Sequence, residues 1–323
     1  MYSFLTTEQM IIGLKSFHPI YRMINENHFS NICLIYNPLN NDSIKYIQKF
    51  RKFLNRKHCF VSLLEVDDRT TETSINPQID LIISIGKRHA HDLAKQSNTQ
   101  RLPHYVVETT RAHMSSYGCG IVWVKDKVQF KKTIPDIVFN DNKTFEDWSL
   151  KDFIYYLHNI SLALEACMNE KTNDFVIANG INGVVNTLKI YKDIKSTHNK
   201  RKLRKLYNRI SYADILCKNA YNNTHLSKEV IKTANITNHY HQFEIAIANE
   251  SNDVINAFCE KNNQQLNELF NLVGWDGFVF KQYFNEMYTD YINNPKRFDL
   301  ADDILGKKYK QIMGQNAKTR RIG

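Results

Sequence analysis

The segment from Asp80 to Lys95 constrains the fold of this chain more than any other. It begins with an acidic residue and the apolar run Leu-Ile-Ile-Ser-Ile, and continues through Gly86 into a polar stretch compatible with a helix. Short apolar runs rich in β-branched residues are typical of buried strands, and a glycine lets the chain turn sharply afterwards. The segment therefore predicts a buried strand leading into a helix N-terminus, where α/β folds bind phosphate groups.

Strand and helix signals alternate through the first half of the chain. Short apolar runs predict strands at residues 31–36, 61–66, 81–85, 104–108, 120–124 and 136–139. Apolar residues at helical spacing predict helices at residues 11–25 and 43–55. This alternation is typical of a parallel sheet covered by helices on both faces. We therefore predict a Rossmann-like α/β domain over residues 1–146.

The second half of the chain has a different character. Strand-like runs disappear after about residue 145, and Pro295 is the only proline after Pro135. Helical spacing predicts helices at residues 150–168, 174–194, 200–218, 227–241, 252–273 and 278–292. The fold class is thus predicted as α/β plus all-α, with a helical domain over residues 147–323 and a ligand cleft between the domains.

Composition limits the functional classes. The net charge of +10 favours an anionic or phosphorylated small ligand. No run of about 18 apolar residues could span a bilayer, and charged residues interrupt the N-terminus, so we expect a cytoplasmic protein without a membrane partner. The oligomeric state stays open, a homodimer included. The six cysteines form no C-x-x-C pair, which favours reduced, buried thiols.

The segment from Lys195 to Arg209 is strongly basic. Leu203, Leu206 and Ile210 recur within and just after it at helical spacing, which predicts a helix with one packed stripe and a solvated charged face. No nucleic-acid-binding motif accompanies the charges. We therefore do not expect a nucleic-acid partner.

The segment from Asp80 to Lys95 resembles the strand-turn-helix of the iron-containing alcohol dehydrogenase, glycerol dehydrogenase and dehydroquinate synthase superfamily, which reads roughly D-x-I-I-A-x-G-G-G-S/K-x-x-D-x-A-K. Four residues from position 86 onward match this pattern: Gly86, Asp92, Ala94 and Lys95. The resemblance implies a dehydroquinate synthase-like fold and a turn whose amides approach the pyrophosphate of NAD(P). Lys87 and Arg88 replace the second and third glycines.

The replaced glycines leave three readings of the turn open. Side chains at Lys87 and Arg88 obstruct close approach of backbone amides to a pyrophosphate. Both side chains could instead bind phosphate themselves, next to the positive end of the helix. The other readings are a solvated basic turn and ordinary NAD(P) binding.

Two further segments carry the resemblance. The loop from Pro103 to Ser116 is similar to the family's P-x-I-x-V-P-T-T-x-x-T-G-S-E, in which hydroxyls surround the cofactor, and the matching residues are Thr109, Thr110 and Ser115. Glu108 replaces a proline of that pattern. Asn37 stands where the family often has an aspartate that meets the adenosine ribose, so NADP is not excluded. An ordinary turn after the strand is the alternative at Asn37.

The resemblance also implies a metal site in the helical domain. The segment from His158 to Ala166 is similar to the family's D-A-L-T-H-A-I-E-A, with His158 at the position of the metal-binding aspartate and Leu162 at that of the first histidine. His225 and His241 fall where the family has its remaining histidines. Three imidazoles suit Zn or Fe(II) and leave a coordination position open. Loss of the metal is the alternative.

Two functions therefore stay open. One is a divergent oxidoreductase of the polyol or glycerol-phosphate dehydrogenase type, which transfers hydride between NAD(P) and a small alcohol or ketone. The other is a relative without dehydrogenase activity that binds a phosphorylated ligand or a partner protein in the cleft, or performs different chemistry there. The sequence assigns no catalytic residue.

Overall fold

The structure is a computed structural model. It describes residues 8–38, 41–67, 70, 73–86, 88–109, 120–124, 127–131, 133–141, 160, 163–164, 166–167, 174–197, 199–222, 263–277, 279, 282–283 and 286. In chain order, its helices and strands are β1 (Gln9–Ile12), α1 (His18–Glu26), β2 (Asn31–Tyr36), α2 (Asn41–Asn55), β3 (Phe60–Glu65), β4 (Leu81–Gly86), α3 (Arg88–Ser97), β5 (His104–Glu108), β6 (Gly120–Val124), β7 (Lys127–Lys131), β8 (Ile137–Asn140), α4 (Asp174–Lys195), α5 (Lys200–Asn222) and α6 (Asn263–Asn271).

Six parallel strands form the main sheet in the order β1-β8-β5-β4-β2-β3. The connection from β2 places β3 on one side, and the next connection crosses back to place β4 on the other side of β2. The strand order therefore reverses between β2 and β4, which is the kind of position where open α/β sheets bind ligands. The parallel sheet predicted from the alternating pattern is confirmed.

Helices cover both faces of this sheet. On one face, α1 and α2 contribute buried residues such as Ile20 and Phe50 to a core shared with β2, β4 and β5. On the other face, α3 packs Ala90 and Leu93 against the sheet, and Ile215 of α5 packs near Val106. Burial from both sides explains why β2 and β4 are almost wholly apolar.

Two aspartates fix the amino edge of the sheet. The carboxylate of Asp80 accepts hydrogen bonds from the backbone amides of Ser30 and Asn31 at 2.8 and 3.0 Å. The carboxylate of Asp136 accepts one from the amide of His104 at 2.7 Å. Asp80, which opens the most informative sequence segment, therefore ties β2 to β4 on the side away from the carboxyl ends.

The predicted helix at residues 11–25 is wrong at its start. Residues Gln9–Ile12 form edge strand β1, which pairs with β8, and α1 begins only at His18. Gly13, with φ of +83°, turns the chain out of the strand, and its amide donates to the carbonyl of Asn140. The apolar residues at 11, 12 and 14 fit a helical period, but pairing with β8 decides their structure.

The predicted strand at residues 120–124 exists but does not complete the main sheet. It is β6, which pairs antiparallel with β7 in a separate two-stranded sheet. Only two residues separate the paired ends Val124 and Lys127, so local hairpin pairing is available without a long crossover. Strand β7 has the polar sequence Lys-Val-Gln-Phe-Lys and was not predicted.

Three helices are described in the region predicted to be all-α. The helices expected at residues 174–194 and 200–218 are confirmed as α4 and α5, and α5 continues to Asn222. Helix α6 lies within the range predicted at residues 252–273, and Gly274 with φ of +67° follows its end. The range 227–241 lies outside the described residues. The domain boundary at residues 146/147 and the all-α second domain stay predictions.

The state of the thiols agrees with the composition. The cysteines described with their side chains are buried and form no disulfide: Cys33, Cys59, Cys167 and Cys217. Burial raises the pKa of the Cys167 thiol to about 12, which keeps it protonated and unreactive.

Among the helices that the structure describes, none combines the length and apolar character needed to cross a bilayer.

Helices α4 and α5 pack closely because α4 carries glycines at the contact. A Cβ atom on Gly183 would lie 2.7 Å from the backbone nitrogen of Cys217 and 2.8 Å from the carbonyl oxygen of Ala213. These are backbone atoms that cannot move aside without shifting α5. The glycine therefore sets the distance between the two helices.

We predict that Gly183→Ala lowers the free energy of unfolding by about 1–3 kcal/mol through overpacking. The sign is diagnostic, because glycine to alanine at an exposed helical position stabilises by up to about 1 kcal/mol. Urea unfolding measures the effect, with the exposed neighbour Asn182→Ala as a control that should not destabilise. A Gly183→Ala protein as stable as the unmodified chain would contradict the close packing.

Candidate functional site

Polar residues gather where the central strands end. Asn37 follows β2, Gly86 ends β4, Glu108 ends β5 and Asn140 ends β8, and all are buried. Gly86 pairs in register with Glu108, and Glu108 with Asn140, so these residues form a row along the carboxyl edge. This edge includes the point between β2 and β4 where the strand order reverses, so it is the candidate binding site.

Gly86 and Asn37 are in close contact at that point. The backbone of Gly86 has φ of +116°, and a Cβ atom there would lie 3.0 Å from the carbonyl oxygen of Asn37. Both the conformation and the space therefore require glycine. Helix α3 begins at Arg88, two residues later, so the positive end of its dipole lies at the turn.

Three polar side chains form a hydrogen-bonded chain beneath this turn. The hydroxyl of Ser84 lies 2.8 Å from Nδ1 of His91 and 2.8 Å from Nε2 of His104. Nε2 of His91 lies 3.1 Å from the carbonyl oxygen of Gly86. All three side chains are buried. The chain thus connects β4, β5 and α3 to the backbone of the turn.

The contacts determine where the protons lie. The carbonyl of Gly86 can only accept, so Nε2 of His91 donates to it and, in a neutral ring, Nδ1 accepts. The Ser84 hydroxyl therefore donates to Nδ1 of His91, and its oxygen accepts from Nε2–H of His104. Both rings carry their proton on Nε2, and every bond in the chain has one direction.

Charged side chains surround the two rings. Nε2 of His91 lies 3.7 Å from Oε2 of Glu108, and Nζ of Lys95 lies 3.7 Å from Oδ1 of Asp92. Burial, aided by the positive charge of Lys95, lowers the pKa of His91 to about 3. The same two causes lower the pKa of His104 well below its ordinary value. Both rings are therefore neutral at physiological pH.

The Ser84–His91 pair does not form a nucleophilic site. A serine beside a histidine is also the arrangement of hydrolases, but there the hydroxyl must reach a substrate. Ser84 has no exposed surface, lies within a central strand and faces α3. The hydrogen-bonded chain ends on the backbone carbonyl of Gly86, and its serine hydroxyl does not reach the surface.

The described residues bring together part of the site expected from the sequence. Asn37 and Gly86 are in contact, and Thr109 directly follows Glu108 at the end of β5. Asp92 is buried within α3 beside Lys95. Arg88 begins α3, and its backbone alone is described. The remaining predicted residues lie outside the described part of the chain: Lys87, Thr110, Ser115, His158, His225 and His241.

Sequence reasoning missed the buried chain of Ser84, His91 and His104. A signal was present, because Ser84 interrupts an apolar run and His104 opens another. A polar side chain in a strand buried on both faces needs a partner. What the sequence does not provide is the pairing itself, since His91 belongs to the following helix and His104 to the neighbouring strand.

Two other expectations concern the surface and metals. Leu206 and Ile210 of the basic helix are buried, while Lys202 and Lys205 are exposed, which confirms a packed stripe and a solvated face. Within the part of the chain that the structure describes, no group of three or more potential ligands could hold a metal ion. The three predicted ligand histidines are not in that part.

Comparison with known proteins gives a match by structure and not by sequence. No family model matches the chain, and no curated protein matches it at a significant level. An alcohol dehydrogenase from Oenococcus oeni is 14% identical with a TM-score of 0.64, covering 95% of this chain and 94% of its own. An iron-containing alcohol dehydrogenase from Thermococcus thioreducens is 12% identical with a TM-score of 0.64, covering 95% and 89%.

A sulfoacetaldehyde reductase from Bifidobacterium kashiwanohense, solved in complex with NAD⁺, is also similar. It is 10% identical with a TM-score of 0.63, and the match covers 94% of this chain and 92% of that one. The protein thus has the fold of the iron-containing alcohol dehydrogenases. The resemblance seen in its motifs is confirmed at the level of the fold.

The neutral histidines predict a specific dependence of stability on pH. Unfolding returns each ring to a pKa of about 6.5, so below that pH the unfolded chain binds a proton that the native ring, with its lowered pKa, does not. The free energy of unfolding should then fall by about 1.4 kcal/mol per pH unit through His91 as pH drops from about 6 to 4, and His104 adds a loss of the same sign.

His91→Gln removes one of these rings, so its slope should be smaller by about 1.4 kcal/mol per pH unit. Urea unfolding at several pH values measures this slope. Val61→Ala, which trims a buried side chain in the core on the opposite face of the sheet, serves as the control with an unchanged slope. If the free energy of unfolding of His91→Gln has the same pH slope as that of the unmodified protein, His91 is not a buried, neutral ring.

Proposed function

We propose that the protein is an oxidoreductase that binds NAD(P) at the carboxyl edge of its sheet. The observation that carries this proposal is the contact of Gly86 with Asn37 where the strand order reverses, followed at once by the start of α3. A glycine turn that leads into a helix N-terminus is suited to a pyrophosphate. Support comes from the fold shared with a reductase solved in complex with NAD⁺.

The residues along the edge fit the parts of a dinucleotide. The turn at Gly86 would hold the pyrophosphate, with Thr109, Thr110 and Ser115 near the nicotinamide half. Asn37 would meet the adenosine ribose, and its neutral amide does not repel a 2′-phosphate, so NADP is accepted as well as NAD. When bound, the cofactor supplies the hydride donor or acceptor.

A metal site in the second half of the chain would complete the enzyme. The donor set of His158, His225 and His241 fits Zn or Fe(II), because neutral imidazoles bind both metals and three of them leave one position open. A bound metal would polarise the hydroxyl or carbonyl of the substrate. The substrate would be a small, polyol-like or phosphorylated alcohol or ketone, held between a domain at residues 1–146 and a helical, dehydroquinate synthase-like domain at 147–323.

A second candidate is a relative that binds a phosphorylated ligand without dehydrogenase activity. The observation that favours it is the sequence after Gly86, where Lys87 and Arg88 take the positions of glycines. Their side chains would contact the phosphate in place of backbone amides. This candidate uses the same turn and the same end of α3.

Cofactor binding tests the first candidate. If NADH binds with a dissociation constant of about 10 µM, 1 mM NADH stabilises the native state by about 2.7 kcal/mol and raises Tm by several degrees. We expect this shift with both NADH and NADPH. Asn37→Asp adds a carboxylate that repels the 2′-phosphate, so it should weaken NADPH binding while NADH binding is kept.

Failure of both cofactors to shift Tm at millimolar concentration would exclude the dehydrogenase proposal. If pyrophosphate or ADP raises Tm and neither NADH nor NADPH does, the second candidate is supported. In that case the double variant Lys87→Ala, Arg88→Ala should abolish the shift, and unchanged pyrophosphate affinity would exclude binding by these side chains.

Metal analysis of the purified protein tests the histidine site. We expect about one Zn or Fe per chain, and loss of that metal in His225→Ala and in His241→Ala. The matched control is His239→Ala, because two residues apart on a predicted helix point in different directions. Absence of metal from the unmodified protein, or equal loss in His239→Ala, would contradict the assignment.

A further inference from the structure

The structure assigns to His91 the role of a positioning residue for the turn at Gly86. His91 donates a hydrogen bond to the Gly86 carbonyl in the tautomer that its contacts with Gly86 and Ser84 require. This inference rests on the proposed function in one respect, that the turn receives a dinucleotide. The geometric part, that His91 holds the turn, stands on its own.

The hydrogen bond spans the turn. Gly86 is the last residue of β4, and His91 lies in the second turn of α3, so the 3.1 Å contact joins the end of the strand to the helix that follows. Gly86 has φ of +116°. Glycine loses more conformational freedom on folding than any other residue. A donor held below its carbonyl restricts that freedom and fixes the peptide that follows.

The chain of partners makes the donor specific. A histidine can offer Nδ1–H or Nε2–H, and only the second reaches Gly86. Ser84 has one hydroxyl proton and donates it to Nδ1 of His91, because Nε2 of His91 donates to Gly86; the Ser84 oxygen then accepts from Nε2–H of His104. Ser84 and His104 are thus positioning residues one and two steps removed. A buried network in which each of these donors has an acceptor favours one geometry, because breaking one bond leaves a buried group unsatisfied.

The apolar core residues next to Ser84 and His104 indicate that this network has a purpose beyond filling space. Ser84 and His104 lie on strands whose neighbouring core residues are Ile82, Val106 and Ala94. Alanine, leucine or valine would fill such positions without desolvating polar groups. The polar chain ends on the one backbone carbonyl of a glycine at the candidate site, and that end point gives the network its function.

Substitutions of His91 by glutamine and by asparagine distinguish the roles of the two ring nitrogens. Glutamine places its side-chain nitrogen near the position of Nε2 and can donate to Gly86, whereas asparagine places its nitrogen near Nδ1 and cannot reach it. We therefore compare His91→Gln, His91→Asn and His91→Leu in the full chain. Val61→Ala, in the core on the opposite face, controls for a general loss of stability.

Two readouts are measured for each protein. The first is NADH affinity by calorimetry. Loss of one buried hydrogen bond predicts affinity about tenfold weaker in His91→Asn and His91→Leu, and His91→Gln within about threefold of the unmodified protein. The second is amide hydrogen exchange of peptides covering residues 81–97, which should be faster in His91→Asn and His91→Leu and close to normal in His91→Gln. Val61→Ala should leave NADH affinity unchanged, and it shows how much exchange rises through loss of overall stability alone.

The outcomes separate this inference from the proposed function. If the unmodified protein does not bind NADH, the proposed function fails, and hydrogen exchange alone decides the role of His91. Normal exchange in His91→Asn would overturn the inference, and so would a His91→Gln protein as impaired as His91→Leu, because the ring would then only fill space. Should the His91 variants not fold, Ser84→Ala keeps the ring but releases its tautomer, and unchanged exchange at the turn would overturn the inference.

Discussion

The buried hydrogen bonds from His104 through Ser84 and His91 to the Gly86 carbonyl are the interaction on which the candidate site depends. They join two central strands and the helix above them at the place where the chain must turn. Buried polar groups are tolerated only when satisfied, and here each donor finds an acceptor in a single consistent direction. The network therefore fixes both the proton positions and the geometry of the turn.

Topology gives this turn its importance. The strand order reverses between β2 and β4, and Asn37, which follows β2, is in contact with Gly86, which ends β4. Asp80 and Asp136 accept hydrogen bonds from neighbouring strands at the opposite, amino edge of the sheet. The polar residues of the candidate site lie at the carboxyl edge. The fold is that of the iron-containing alcohol dehydrogenases, and the proposed dinucleotide would lie at this edge, with His91 supporting the turn at Gly86.

Much of the sheet was predictable, because strands buried on both faces are marked by their apolar runs. The bounds of β2 and β5 were predicted to the residue. β1 and β7 were not predictable by the same means, since the first owes its structure to pairing with β8 and the second to its neighbour in a hairpin. For the site, Asn37 and Gly86 were found from motif position. The partners of Ser84 depend on packing between elements, which no local pattern records.

The protonation of the two rings tests the account most directly. Nitrogen-15 NMR spectra of the histidine rings, recorded on labelled protein between pH 5 and 8, distinguish the two neutral tautomers and detect any titration. The account predicts that His91 and His104 both carry the proton on Nε2 and do not titrate over this range, since the pKa of His91 lies at about 3. A proton on Nδ1 of His91, or titration of that ring near neutral pH, would contradict it.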